Sequence, residues 1–364
     1  MESAAPQHRI PALDGVRGIA TITVLFCHFL FDDLYHDQWW WAVGHAGWLG
    51  VDLFFVLSGF LITSILLHKK TRPDYFRDFY RRRILRIFPL YYFVLMLSVF
   101  AIVVIDQQPQ RLYTGYDSLG WYFAFIPNIA LALKGDWIWQ TNWVGLSHLW
   151  SLAVEEQFYM VWPLVVLLLP RRGVMALSVL ILAMSAWIRI ETDLAFGQTW
   201  SIASYVLPYC RMDGLAAGSF LAVLRLEGWL TFKGLRRDLT RDFTFSAFML
   251  TFYMLIAGNS HWRGTWVALM FLGVVYFALD TKGLIKKVCE WPFLMHIGTY
   301  SYAMYVFHQM FRMVFDKIYR QPLVSLGLHE AIVQILFILL AGLTTYGLAR
   351  LSWKYLEKPF LDLK

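Results

Sequence analysis

Apolar segments long enough to cross a bilayer recur along this chain and leave few other folds open to it. A spanning helix needs about 20 predominantly apolar residues. Ten segments approach that length: 16–32, 47–67, 86–105, 147–169, 174–190, 201–224, 243–258, 264–280, 295–315 and 330–350. Backbone N–H and C=O groups in hydrocarbon must be paired internally, so these runs predict helices, and the chain an all-α polytopic bundle. Composition points the same way. Only 16% of the 364 residues are charged, against roughly 25% in soluble domains, and mean hydropathy is +0.51. Stretch 121–133, "WYFAFIPNIALAL", is apolar but short and carries Pro127, and is expected to be re-entrant or interfacial. The first apolar run lacks a cleavage pattern and reads as a retained helix, not a signal peptide.

The loops orient the bundle. With both termini cytoplasmic, the inner loops hold 18 Lys/Arg and the outer loops 5, as the positive-inside rule requires. An eleventh span at 121–133 would invert every later loop and destroy that bias. The net charge of +7 is thereby explained by cytoplasmic loops, and nucleic acid is not expected as a partner. Cys27, Cys210 and Cys289 are scattered and match no disulfide or metal spacing, so no metal is expected. No tract is polar enough to form a second domain, and residues 1–364 read as one transmembrane domain.

Ionisable groups at bilayer depth cost at least about 2.5–3.5 kcal/mol each and are functional candidates by default. The first helix, "LDGVRGIATITVLFCHFLF", carries Arg17 and His28, three turns and roughly 16 Å apart on one face. A later segment, "SHLWSLAVEEQFYMVWPLVVLLLP", places His148, Ser151, Glu155 and Tyr159 in one stripe, with Glu156 a quarter-turn away. Such a stripe must face the bundle interior or a wet cavity. Glu155 is the candidate reactive carboxylate, and Glu156 is expected to be a structural hydrogen-bonding partner. "GWLGVDLFFVLSGFLIT" adds Asp52 and Ser58, "YCRMDGLAAGSFLA" adds Arg211 and Asp213, and "SYAMYVFHQ" adds His308. Interhelical salt bridges are the structural account of Arg211 and its carboxylates. In "FRDFYRRRILRIFPLYY", Arg83 and Arg86 share a helix face at the cytoplasmic mouth of the third segment. Two guanidiniums on one face suit a phosphorylated donor such as a nucleotide or coenzyme A. Anchoring by anionic lipid is the competing account, and it suits Arg81 and Arg82 better.

Most tryptophans map to the outer side: Trp39, Trp40, Trp41, Trp48, Trp121, Trp137, Trp139, Trp143, Trp150, Trp200, Trp262 and Trp266. An interfacial belt accounts for many, and the excess would supply flat faces for sugar rings.

Seven stretches together resemble the acyltransferase 3 family of integral membrane acyltransferases. They are "ALDGVRGIATITVLFCHF", "GVDLFFVLSGFLIT", "RRRILRIFPLYY", "HLWSLAVEEQFYMVWPL", "RMDGLAAG", "SYAMYVFHQ" and "YLEKPF", in the family's order from residue 12 to residue 360. The resemblance implies that the family's arginine and histidine of the first helix fall on Arg17 and His28. Its R-x-x-R motif falls on Arg83 and Arg86, and its H-x-W-S-L-x-x-E segment on His148 and Glu155. It further implies about ten helices in a cell inner membrane, acyl-CoA (usually acetyl-CoA) as donor, and an extracytoplasmic or lipid-linked glycan as acceptor. The SGNH hydrolase-like domain of some members is not expected here, which favours stand-alone enzymes acting on exopolysaccharide, O-antigen or lipid-linked sugars.

These readings combine into one expected mechanism. Arg83 and Arg86 would hold coenzyme A phosphates, with Arg17 along the pantetheine path. His28 would be the general base, Glu155 or Asp52 would orient it, and His148 or Arg211 would stabilise the oxyanion. Direct transfer and an acetyl-histidine relay both fit. The rival reading is a transporter or glycolipid flippase, for which inverted halves are expected; none is visible.

Overall fold

The computed structural model describes residues 10–30, 44, 46–138, 143–198, 201–230, 234–256, 261–280 and 283–363. Trp39, Trp40, Trp41, Trp139 and Trp200 lie outside them. Most of the described residues are helical, and none among them forms a strand. The main helices are α1 (Pro11–Phe29), α2 (Leu49–Lys69), α3 (Tyr75–Phe100), α4 (Pro127–Lys134), α5 (Trp150–Leu168) and α6 (Arg171–Ala195). They continue as α7 (Ile202–Val206), α8 (Pro208–Leu226), α9 (Gly234–Ile256), α10 (Arg263–Ala278), α11 (Pro292–Thr299), α12 (Ser301–Met310) and α13 (Glu330–Ser352).

Six helices among the described residues are long and apolar enough to cross a membrane: Pro11–Phe29, Ala46–Lys69, Tyr75–Ile105, Ser147–Leu168, Arg171–Ala195 and Glu330–Leu361. The other four expected segments fall on helices of different character. The sixth is divided at Pro208, and its main part, α8, carries Arg211, Asp213 and Arg225. The seventh lies in α9, which begins in a polar stretch, and the eighth in α10, which has only 16 residues. The ninth breaks at Tyr300 into α11 and α12. Stretch 121–133 forms a four-residue turn of helix and α4, separated at Phe125 by a positive φ of 57°. Neither piece is long enough to span.

Burial separates inner from outer helices. The apolar windows of α1 and α2 are each 67% buried, whereas those of α6 and α13 are 28% buried. α1 and α2 therefore lie at the centre of the bundle, and α6 and α13 at its periphery. Here α8 packs against α2 and α6, α1 against α2 and α11, and α12 against α13. The α2–α8 crossing depends on small residues. A Cβ at Gly218 would meet Val56 O at 1.9 Å, and one at Gly59 would meet Leu215 O at 2.0 Å. Close backbone approach of this kind replaces the hydrophobic drive that lipid does not supply. A buried polar chain reinforces the contact: Trp162 Nε1 donates to Thr63 Oγ1 (2.8 Å), and Thr63 Oγ1 to Ser219 Oγ (2.8 Å). Gly218→Leu is expected to destabilise the protein by about 1–3 kcal/mol or more through overpacking. A detergent melting curve identical to wild type would show that the crossing tolerates separation.

Candidate active site

Two cavities meet inside the bundle. The first is lined by residues of α1, α2, α3, α5 and α12. Its polar lining includes Arg17 from α1, Ser58 from α2, Arg83 and Arg86 from α3, and Glu155 and Tyr159 from α5. The stripe predicted from 147–170 thus faces inward, and Arg83 and Arg86 of the 76–92 run join it. Glu155 is held at both oxygens: Ser58 Oγ donates to Oε1 (2.8 Å) and the Tyr159 hydroxyl to Oε2 (3.0 Å). The Arg83 guanidinium lies 5.1 Å from the Tyr159 ring centre, which fixes its direction. Arg17 Nη1 donates to Asp14 Oδ1 at 2.9 Å, one turn back on α1. Neighbouring Arg81 and Arg82 point elsewhere, Arg81 to Leu363 O (2.7 Å) and Arg82 to Asp78 (2.6 Å).

The second cavity holds His28 and His148 with Trp48, Trp137, Trp150 and Tyr205. Val51 and Tyr305 line both cavities and form the wall between them. The Tyr305 hydroxyl lies 2.6 Å from Ser151 Oγ and donates to His148 O at 3.0 Å, which pins the ring at that junction.

His28 is oriented by another histidine. Its Nδ1 lies 2.9 Å from His308 Nε2, and His308 Nδ1 in turn contacts Tyr305 O on the same helix, α12. A carbonyl only accepts, so His308 carries its proton on Nδ1 and accepts from His28 through Nε2. His28 then carries its proton on Nδ1, and its Nε2 is the basic nitrogen. This tautomer is assigned from the hydrogen-bond network.

Several expected roles are corrected by this geometry. Neither Glu155 nor Asp52 orients His28. Glu155 is engaged by Ser58 and Tyr159, and Asp52 forms a buried pair with Arg211 on α8 (2.6 Å; side chains 1% and 4% exposed). Arg211 lines neither cavity and cannot serve the oxyanion; it lies behind Tyr205 and Trp150, 5.0 and 5.8 Å from their ring centres. Asp213 pairs instead with Arg189 on α6 (2.8 Å). His148 Nε2 faces Val306 O at 3.2 Å and must donate there, so its buried Nδ1 is an acceptor without a hydrogen-bond partner, not an oxyanion donor. Glu156 Oε1 is buried with no partner, contrary to the hydrogen-bonding role expected of it. His308 was expected only as a polar residue and becomes the hydrogen-bond partner of His28. Its spacing of three from Tyr305 was the one available hint. Among the described residues, no group of three or more His, Cys, Asp or Glu is arranged to hold a metal ion.

The aromatic residues of the second cavity form a box. Tyr205 packs against Trp150, Trp137 and Trp48, with ring centres 5.0, 5.9 and 6.3 Å away. Three of the tryptophans placed on the outer side thus line the cavity of His28, whereas Trp262 and Trp266 line a separate apolar groove.

Comparison with known proteins agrees with the motifs. The chain is 28% identical to the O-acetyltransferase OatA of Staphylococcus aureus (strain NCTC 8325 / PS 47), over 96% of this chain and 57% of that protein. It is 27% identical to the peptidoglycan O-acetyltransferase OatA of Listeria monocytogenes, over 96% of this chain and 55% of that one. It is 29% identical to the putative peptidoglycan O-acetyltransferase YrhL of Bacillus subtilis, over 97% and 55%. The chain spans little more than half the length of these relatives. No solved structure matches it. The acyltransferase-domain profile of the acyltransferase 3 family matches residues 10–351, nearly the whole chain, and with its membrane helices and buried polar site this chain belongs to that family.

Proposed function

We propose that the protein is an inner-membrane O-acyltransferase that moves an acyl group, acetyl in the simplest case, from cytoplasmic acyl-CoA to a hydroxyl of an extracytoplasmic or lipid-linked glycan. One observation carries this reading: an arginine-lined cavity and a histidine-lined cavity share a wall at Val51 and Tyr305. Arg83 and Arg86 would grip the phosphates of coenzyme A, and Arg17 would flank the pantetheine arm. The thioester would reach the Tyr305 junction. There His28 Nε2 takes the proton of the sugar hydroxyl as its oxygen attacks the thioester carbonyl. The tetrahedral adduct collapses to the ester, expelling the coenzyme A thiolate, which recovers the proton from His28. His308 keeps Nδ1 of His28 protonated and so directs Nε2 toward the acceptor. The names of the relatives support acetyl, and they add peptidoglycan to exopolysaccharide and O-antigen among the candidate acceptors.

The same reading takes ten spanning helices with both termini cytoplasmic. All three native cysteines are buried, so a cysteine at position 237 can be labelled selectively. Arg237→Cys is expected to react with an impermeant maleimide only after permeabilisation; labelling in intact cells would reverse the orientation. Charge-assisted hydrogen bonds contribute about 1.5–3 kcal/mol each. Arg83→Ala with Arg86→Ala is therefore expected to raise the apparent KM for acetyl-CoA by at least about tenfold, while the protein still inserts. Loss of insertion with KM unchanged in the surviving protein would leave lipid anchoring as the role of this pair.

A further inference from the structure

Acyl transfer creates an oxyanion, and neither residue expected to stabilise it is placed to do so. When the sugar oxygen attacks the thioester carbonyl, the electron pair of the C=O bond moves onto the carbonyl oxygen. In a buried site that charge needs a preorganised hydrogen-bond donor. Arg211 lines neither cavity, and His148 presents an acceptor. The donor has to stand where the two cavities meet. Of the two residues that line both, Val51 has no polar side-chain atom, and Tyr305 has a hydroxyl.

That hydroxyl lies at the junction itself. Its oxygen is 2.6 Å from Ser151 Oγ, of the first cavity, and 3.0 Å from the carbonyl oxygen of His148, of the second. Ser151 Oγ is also 3.2 Å from His148 O. Two hydroxyl protons thus serve three short contacts, and His148 O also receives the Trp150 N–H. Rotation of the phenolic O–H alone turns its proton from His148 O toward a ligand. Ser151 then donates to the phenol oxygen, and no heavy atom of the trio loses its last partner. A hydroxyl that accepts one hydrogen bond is a stronger donor of the next. The ring is held in place: Tyr305 is 8% exposed, with the Phe54, His148 and His308 ring centres 6.2, 5.4 and 5.4 Å away.

We propose that Tyr305 is the oxyanion donor of the acyl transfer, and that Ser151 positions its hydroxyl. This rests on the acyltransferase reading and adds a catalytic residue to it. The phenol keeps its proton throughout. It hydrogen-bonds the carbonyl oxygen as negative charge collects there. The bond weakens again when C=O re-forms and the coenzyme A thiolate departs, taking up the proton from His28. Phenylalanine at this position keeps the ring contacts and the wall between the cavities, so the hydroxyl is separable from the packing.

The test uses the full-length protein in inside-out host membrane vesicles, which carry the envelope acceptor, with radiolabelled acetyl-CoA. Tyr305→Phe is expected to lower apparent kcat by about 10²–10³-fold, the usual effect of removing one oxyanion donor, with KM for acetyl-CoA within about twofold of wild type. Ser151→Ala should lower kcat by a smaller factor at constant KM, and Ser151→Thr, which keeps a hydroxyl, should recover part of the loss. Replacement of Tyr305 by 3-fluorotyrosine and by 3,5-difluorotyrosine grades the donor while nearly preserving its shape. At a pH where all three phenols stay protonated, kcat should rise with phenol acidity. Wild-type kcat in Tyr305→Phe, or a loss confined to KM, overturns the inference and leaves the acyltransferase reading standing. If the phenylalanine variant fails to insert, the fluorinated series decides, and a kcat indifferent to phenol acidity overturns the donor role. Absence of protein-dependent acetyl transfer to glycan in the wild type overturns both.

Discussion

His28→Ala is expected to lower acyl transfer to glycan by about 10²–10⁴-fold, the usual contribution of a positioned general base, with the protein inserted at wild-type levels. His28 is the titratable group that combines a basic nitrogen fixed by its neighbour with a place in the second cavity, which shares Val51 and Tyr305 with the first. Radiolabelled acetyl incorporation, normalised to membrane protein, reads the effect. His308 offers a finer check. His308→Gln keeps an oxygen that can accept from His28 Nδ1, whereas His308→Leu removes the acceptor. The glutamine variant should be the more active of the two, and its pH–rate profile should stay closer to wild type. Equal activity in the two would mean that His308 only fills space. Wild-type activity in His28→Ala would remove the general-base assignment altogether.

The second large effect is on stability. Asp52→Ala should destabilise the protein by about 3–5 kcal/mol, because it strands Arg211 as a buried charge that is 4% exposed. Asp52→Leu combined with Arg211→Met should recover most of that loss, since an apolar pair of similar volume removes both desolvation penalties. Melting of the detergent-solubilised protein, followed by size-exclusion fluorescence, separates the cases. A single variant as stable as wild type would mean that water reaches Arg211. Recovery of folding need not restore activity. Arg211 also packs against Tyr205 and Trp150, so its loss should loosen the aromatic box and raise KM for the acceptor.

Several polar residues of the first cavity were readable in advance. Glu155, Tyr159 and Ser151 recur at helical spacing, so they had to share a face, and a polar face in lipid has to turn inward. Arg83 and Arg86 were distinguished from Arg81 and Arg82 by spacing, and only the former pair lines the cavity. Their distance along α3 from solvent to bundle follows from helix rise alone.

Partners across the bundle were not readable. His308 meets His28 from 280 residues away, and Asp52 meets Arg211 from 159 residues away. Helical period determines which way a side chain faces and is silent about what waits there. Several carboxylates faced inward, and any of them was a chemically sensible partner for the histidine. The choice among them was made by packing. Gly59 and Gly218 bring α2 and α8 together, which delivers Asp52 to Arg211 and away from His28. The break at Tyr300 starts α12, which brings Tyr305 to the junction and His308 to His28. Hydropathy and periodicity were enough for a membrane bundle with a polar interior, because the bilayer penalises every exception locally. Division of that interior into two cavities meeting at Val51 and Tyr305 depended on helix crossings, which arise from contacts between residues far apart in the chain.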